Sequence, residues 1–257
     1  MRDRLVRLAG SALVLLGVLL VWEAGVRLAR VPPYLLPPPS RVLAAFFGEF
    51  PLLLGHAATT VTEVALGLSL GLSAGITLGI LLYHFPVLER AFSPFLIGSQ
   101  VVPIFAVAPL LVLWLGYGLW PKVIVASLIV FFPITVNVLD GLRSLGGDVV
   151  DLLASLGAKR RQIFWLARAP ASLPFLFSGL KVGTTLSLVG ATVGEWVGAK
   201  RGLGFLMLQA NARMRVDLVF AAILTLTLLG LLLLGGLRII ERRLLRWQRL
   251  GRGGGER

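Results

Sequence analysis

Five polar side chains stand inside otherwise apolar runs of this 257-residue chain: Glu63, Gln100, Asn137, Lys181 and Glu195. Away from water, each must find a protein partner or face a wet cavity. Gln100 and Asn137 sit on interrupted or polar-ended runs. Together with Ser187 and Glu195 they are the candidates for lining or gating a path, with Glu195 at the end of its run. Glu63 and Glu195 also fit a second description, as groups at an interface. No catalytic set accompanies them: His56 and His84 lie near the ends of apolar runs, where interfacial residues fall, and no Ser–His or paired mid-run carboxylate site is present. The chain has no Cys, which removes disulfide and thiol chemistry. It has no zinc-ligand pattern and no GxxxxGK[ST] phosphate loop, so no metal or nucleotide is expected on it.

A second polar feature is the segment Gly146–Pro174, GGDVVDLLASLGAKRRQIFWLARAPASLP. Four cations between Lys159 and Arg168 prevent it from crossing a bilayer. Asp148 is suited to cap a helix N-terminus, and Asp151 follows where negative charge is favoured. Val149, Leu152, Leu153 and Leu156 have helical spacing. Gly157 is suited to a left-handed stop. A second helix over Ala158–Ala169 should end before Pro170. Two readings fit this helix–glycine–helix corner: a pair lying on lipid, or a docking element for a partner.

The elements around these features belong in a membrane. The chain is 57% hydrophobic and 14% charged, with mean hydropathy +0.89; a soluble domain carries about 25% charged residues. Its uncharged runs are continuous rather than alternating, which selects helices over a barrel. An all-α polytopic fold with about six spans is expected, at 8–28, 61–83, 94–115, 123–139, 173–194 and 218–239, in one domain covering 1–257. Pro32, Pro33, Pro37, Pro38 and Pro39 force an extended connector after the first span. Arg41–Phe50 reads as an interfacial amphipathic stretch. Pro94, Pro103 and Pro109 break or kink the third span, Gly116–Pro121 is a turn, 140–171 is a polar loop, and Glu195–Asp217 is a polar connector. The basic N-terminus lacks a small-residue cleavage site and reads as a retained span.

The net charge is +13. Flanking of spans accounts for it better than nucleic-acid binding, because no aromatic-interleaved basic patch is present. With the N-terminus inside, sixteen basic residues fall on the inner side against eight outside. Both termini are therefore expected in the cytoplasm. Gly67, Gly71, Gly75 and Gly79 recur every four residues, with Ser69, Ser73 and Thr77 as a second small stripe. Such faces serve close helix packing within the chain, or the lining of a pore.

The segment Asp151-Leu152-Leu153-Ala154-Ser155-Leu156-Gly157, with Ile163 and Leu173-Pro174 beyond it, resembles the cytoplasmic signature of ABC-importer permeases. It has Asp where that signature has Glu, and Leu152-Leu153 where it has two alanines. Tyr34–Ser40, Pro109–Gly116, Phe131-Phe132-Pro133 and Gly202-Leu203-Gly204 resemble the nitrate/sulfonate/taurine type over nearly the whole chain. Gly179-Leu180-Lys181-Val182 and Gly194-Glu195-Trp196-Val197-Gly198 are similar to the branch for thiamine pyrimidine precursors and riboflavin. The resemblance implies the type I importer permease fold in the bacterial inner membrane. It implies a path for a small organic or anionic solute, with no enzymatic activity of this chain's own. Asp151, Leu152, Leu153, Ala154, Ser155, Gly157 and Ala158 would couple it to a cytoplasmic ATPase subunit that carries the ATP. A second permease copy and an extracytoplasmic substrate-binding protein would complete the assembly. An ion-coupled secondary transporter is the alternative. It would need inverted repeats and midplane ion sites, and the chain shows no repeat and few intramembrane carboxylates.

Overall fold

The computed structural model describes residues 2–247. The elements are α1 (Arg2–Leu28), α2 (Pro39–Gly48), α3 (Phe50–His84), α4 (Pro86–Val101), α5 (Ile104–Leu115), α6 (Trp120–Arg143), α7 (Gly147–Ser155), α8 (Arg160–Ile163), a π-helical turn (Phe164–Arg168), α9 (Ala169–Trp196), α10 (Leu203–Ala212) and α11 (Val216–Leu244). Among the described residues, four helical stretches are long and apolar enough to cross a membrane, or five when α4 and α5 count as one span. α1 occupies the first expected span. α4 and α5 meet at a 97° bend at Val102-Pro103, where Pro103 has no N–H to continue the helix.

The core is built on α6, which lies between α3 and α9. The glycine stripe of α3 explains one side of this packing. A Cβ on Gly67 would come within 2.5 Å of the Ala126 Cβ, and one on Gly75 within 2.8 Å of the Ile134 Cβ. Gly71 and Gly79 meet Val130 and Val138 in the same way. α9 repeats the device on the other side, with Gly179 against Asn137 and Gly190 against the Ala126 backbone. The stripe is therefore a packing face within the chain. Ser69, Ser73 and Thr77 are exposed, and each hydroxyl donates to a carbonyl of its own helix.

Four expectations are corrected. The helix after Gly157 does not stop before Pro170. α8, the π turn and α9 form one 37-residue helical rod. In the π turn the Ala169 N–H reaches back five residues to the Phe164 carbonyl, and this wider register accommodates the prolines that follow. The connector 195–217 is not simply polar. It holds α10, whose Leu203, Leu206, Met207 and Ala210 are buried against Leu218, Ala221 and Ala222 of α11. Asp148 does not cap α7, because the helix starts at Gly147 and Asp148 lies in its first turn. The 140–171 loop is also shorter than expected: α6 runs on to Arg143 and the rod begins at Arg160. α2 lies where the amphipathic stretch was expected, with Val42 and Ala45 buried.

Candidate functional site

Two clusters stand at opposite ends of the α8–α9 rod. The first is the corner after α7. Gly157 has φ +86, a conformation that costs a side-chain-bearing residue energy but not glycine. Its N–H donates to the Ala154 carbonyl (2.9 Å) and the Ala158 N–H to the Leu153 carbonyl (3.0 Å). This paired arrangement is a Schellman stop, which satisfies the last carbonyls of α7. The chain restarts at once, because the Lys159 N–H donates to Gln162 Oε1 at 2.8 Å, at the start of α8. α7 thus ends and α8 begins within four residues, leaving the corner little freedom.

The corner is anchored to α6 and faces outward. Arg168 Nη1 donates to the Leu142 carbonyl at 2.8 Å, satisfying the end of α6. Arg143 grips both carboxylate oxygens of Glu89, tying α6 to α4. No residue of α7 is buried. Asp151, Ala154, Ser155 and Gly157 are exposed, while Leu153 and Ala158 are half-buried. Leu152 is 60% and Leu156 76% exposed. These two leucines are four residues apart, so they share one helix face.

The second cluster is a buried polar network. Lys122 Nζ donates to Glu63 Oε1 at 2.8 Å, both side chains nearly free of solvent. Thr60 Oγ1 donates to Glu195 Oε1 at 2.6 Å and accepts from the Leu203 N–H at 2.9 Å. The Gly204 N–H donates to Glu195 Oε2. Glu195 therefore caps the N-terminus of α10 from another helix, satisfying donors that α10 cannot satisfy itself. His56 Nδ1 contacts the Gly202 backbone. Gly202 has φ +121, and a Cβ there would run into the Glu195 carboxyl. A Cβ on Gly204 would lie 2.7 Å from the Thr192 carbonyl oxygen. The Gly-Leu-Gly run and Glu195 thus require each other.

The four path candidates are not brought together within the subunit. Gln100 is exposed on α4. Asn137 Nδ2 donates to the Pro133 carbonyl at 2.8 Å on its own helix. Ser187 is buried and its hydroxyl donates to the Thr184 carbonyl at 2.8 Å. Glu195 is buried and anchors α10. Lys181 pairs with Glu241 of α11 at 2.6 Å. Sequence reasoning missed Thr60 and Lys122 as network members, because their partners are distant in the chain.

These features place the chain among helical membrane permeases, with a short exposed helix between two spans. The chain belongs to the family described as binding-protein-dependent transport system inner membrane component, which matches residues 67–246. It is a permease subunit of an ABC importer of the type I fold. It is 37% identical over 238 residues to the formylaminopyrimidine transport permease protein ThiX of Halalkalibacterium halodurans, covering 92% of this chain and 95% of that one. It is 41% identical over 241 residues to the riboflavin transport system permease protein RibX of Chloroflexus aurantiacus, covering 93% and 90%. Its fold matches a chain of the inward-facing MetNI methionine ABC transporter with TM-score 0.67, at 20% identity, over 77% of this chain and 98% of that one.

Proposed function

We propose that two copies of this chain form the path of an importer for a small heteroaromatic solute of the formylaminopyrimidine or riboflavin class. A separate substrate-binding protein delivers the solute from outside. Two ATPase subunits, which carry the ATP, dock on α7 from the cytoplasm, where both termini also lie. The observation that carries this reading is the outward Leu152–Leu156 face of α7, held on the Schellman corner at Gly157. Asp151, Leu152, Leu153, Ala154, Ser155, Gly157 and Ala158 then form the ATPase contact. The charge asymmetry of the flanking segments supports the orientation. The solute class follows the names of ThiX and RibX, which align along almost the whole chain. Pairing is supported by α4, a largely apolar helix with no buried residue in the single subunit.

The test is uptake into proteoliposomes holding this permease with an ATPase and a binding protein encoded beside it. Labelled riboflavin and formylaminopyrimidine are offered with and without ATP. ATP-dependent uptake of one of them is expected. Uptake driven by an ion gradient with no ATPase present would overturn the proposal in favour of a secondary transporter.

A further inference from the structure

Behind the α7–α8 corner, a cleft of about 360 Å³ opens between the last turn of α3, α7 and the start of the rod. Its floor is aromatic. The His84 and Phe164 ring centroids are 5.0 Å apart, and Tyr83 lies 5.1 Å from His84 and 6.0 Å from Phe164. Its rim carries Arg160 and Arg168, and among the described residues no carboxylate lines it. Arg168 is fixed in place, stacked 5.4 Å from the Tyr83 centroid and donating to the Leu142 carbonyl. Only one of its five N–H donors goes to that carbonyl. Arg160 is exposed and makes no ion pair among the described residues. His84 Nδ1 donates to the Ile80 carbonyl at 3.0 Å, which holds the ring in place on the cleft floor.

The position of the cleft names its ligand. α3 has 35 residues, so at about 1.5 Å per residue it outruns a hydrocarbon layer of about 30 Å. Its last turn therefore reaches the headgroup layer. Tyr83 lines the cleft there, and Trp165 is exposed beside it, as aromatic residues at a membrane surface are. We propose that the cleft binds the phosphate of an anionic membrane phospholipid. The two guanidinium groups hold the phosphodiester, as Arg forks hold phosphate elsewhere, and the ring floor beds the glycerol. Phosphatidylglycerol is such an anionic phospholipid, whereas phosphatidylcholine carries a balancing cation on its headgroup. A lipid seated there joins the end of α3 to the rod directly behind α7. The inference rests on the membrane placement of α3 and is independent of what is transported or what drives it.

The experiment is native mass spectrometry of the full-length protein in neutral detergent, titrated with short-chain phosphatidylglycerol or phosphatidylcholine. Retention of phosphatidylglycerol over phosphatidylcholine is expected. Losing one charge-assisted contact in Arg160→Gln should weaken it about tenfold. Arg161→Gln, one residue on and outside the cleft, should retain it. Val150→Asp puts a carboxylate on the cleft wall and should expel the lipid without touching either arginine, so the test survives a failure of Arg160→Gln to fold. Equal loss in Arg160→Gln and Arg161→Gln would reveal a diffuse basic surface and overturn the proposal. So would no preference between the lipids. Displacement by millimolar inorganic phosphate, with phosphate retained in place of lipid, would make this a free-anion site and overturn the lipid assignment.

Discussion

Replacing Gly157 by Ala isolates the conformation of the α7 corner from its chemistry. A Cβ at this position meets no heavy atom within 4 Å, so the methyl group adds no clash. What remains is the left-handed backbone, φ +86. Holding an L-residue there costs about 1–2 kcal/mol, a factor of about 5–30 in the population of the formed corner. The corner is exposed and carries no core contacts of its own. The penalty should therefore fall on partner binding rather than on the thermal stability of the subunit. ATPase affinity in detergent, measured by titrating labelled ATPase onto immobilised permease, should weaken by about 5–30-fold in Gly157→Ala. The melting temperature of the permease should stay close to wild type. Asn tolerates the left-handed region better than Ala, so Gly157→Asn should recover most of the affinity although its side chain is larger. Wild-type affinity in Gly157→Ala, or equal losses in the Ala and Asn variants, would refute the claim that backbone geometry sets the docking surface.

The buried network yields a coupled pair. Lys122→Met leaves the Glu63 carboxylate without its ion partner and should destabilise by about 3–5 kcal/mol, whereas adding Glu63→Leu to it should restore much of the melting temperature in detergent. Gly202→Ala forces a methyl group into the Glu195 carboxyl at positive φ; about 1–3 kcal/mol of backbone strain alone should lower the melting temperature and expose the α10 segment to protease. Along α3, Gly71→Ala should destabilise, because its Cβ would sit 2.9 Å from the Ser127 carbonyl oxygen, while Gly55→Ala meets nothing and should stabilise by about 1 kcal/mol through helix propensity.

Local signals were legible in the sequence, and pairings between distant residues were not. Uncharged runs led to helices because lipid leaves the backbone no other partner. The stop at Gly157 was readable because left-handed termination singles out glycine. Spacing of four put Gly67, Gly71, Gly75 and Gly79 on one face, although spacing does not say which helix that face meets. In the sequence Lys122 reads only as one of the cations that flank spans, since nothing near it shows that Glu63, 59 residues away, is its partner. α10 left a signal that charge obscured: Leu203, Leu206, Met207 and Ala210 follow helical spacing between Arg201 and Arg213. Pro170 marked a helix end by rule, but a π turn upstream changed the register that the rule assumes, and no composition signal marks such a turn.

The two clusters gain meaning from the rod that joins them. α9 is continuous with the helix that leaves the Gly157 corner, and its far end presents Glu195 to α10. Along its length it is pressed against α6 through glycine contacts, and α6 is pressed in the same way against α3. Packing this close has no room for one helix to slide past another without opening gaps. A force applied at α7 therefore moves α3, α6 and α9 together rather than bending one of them. α4 is different: it buries no residue, breaks by 97° from α5, and is held to α6 by the Glu89–Arg143 pair near one end. Rearranging it sacrifices little apolar burial. Relative motion thus costs less for α4 than for α5, whose Ala108 and Leu111 are buried against Val125 of α6 and Val193 of α9, and Glu89–Arg143 is the tether that motion of α4 would strain.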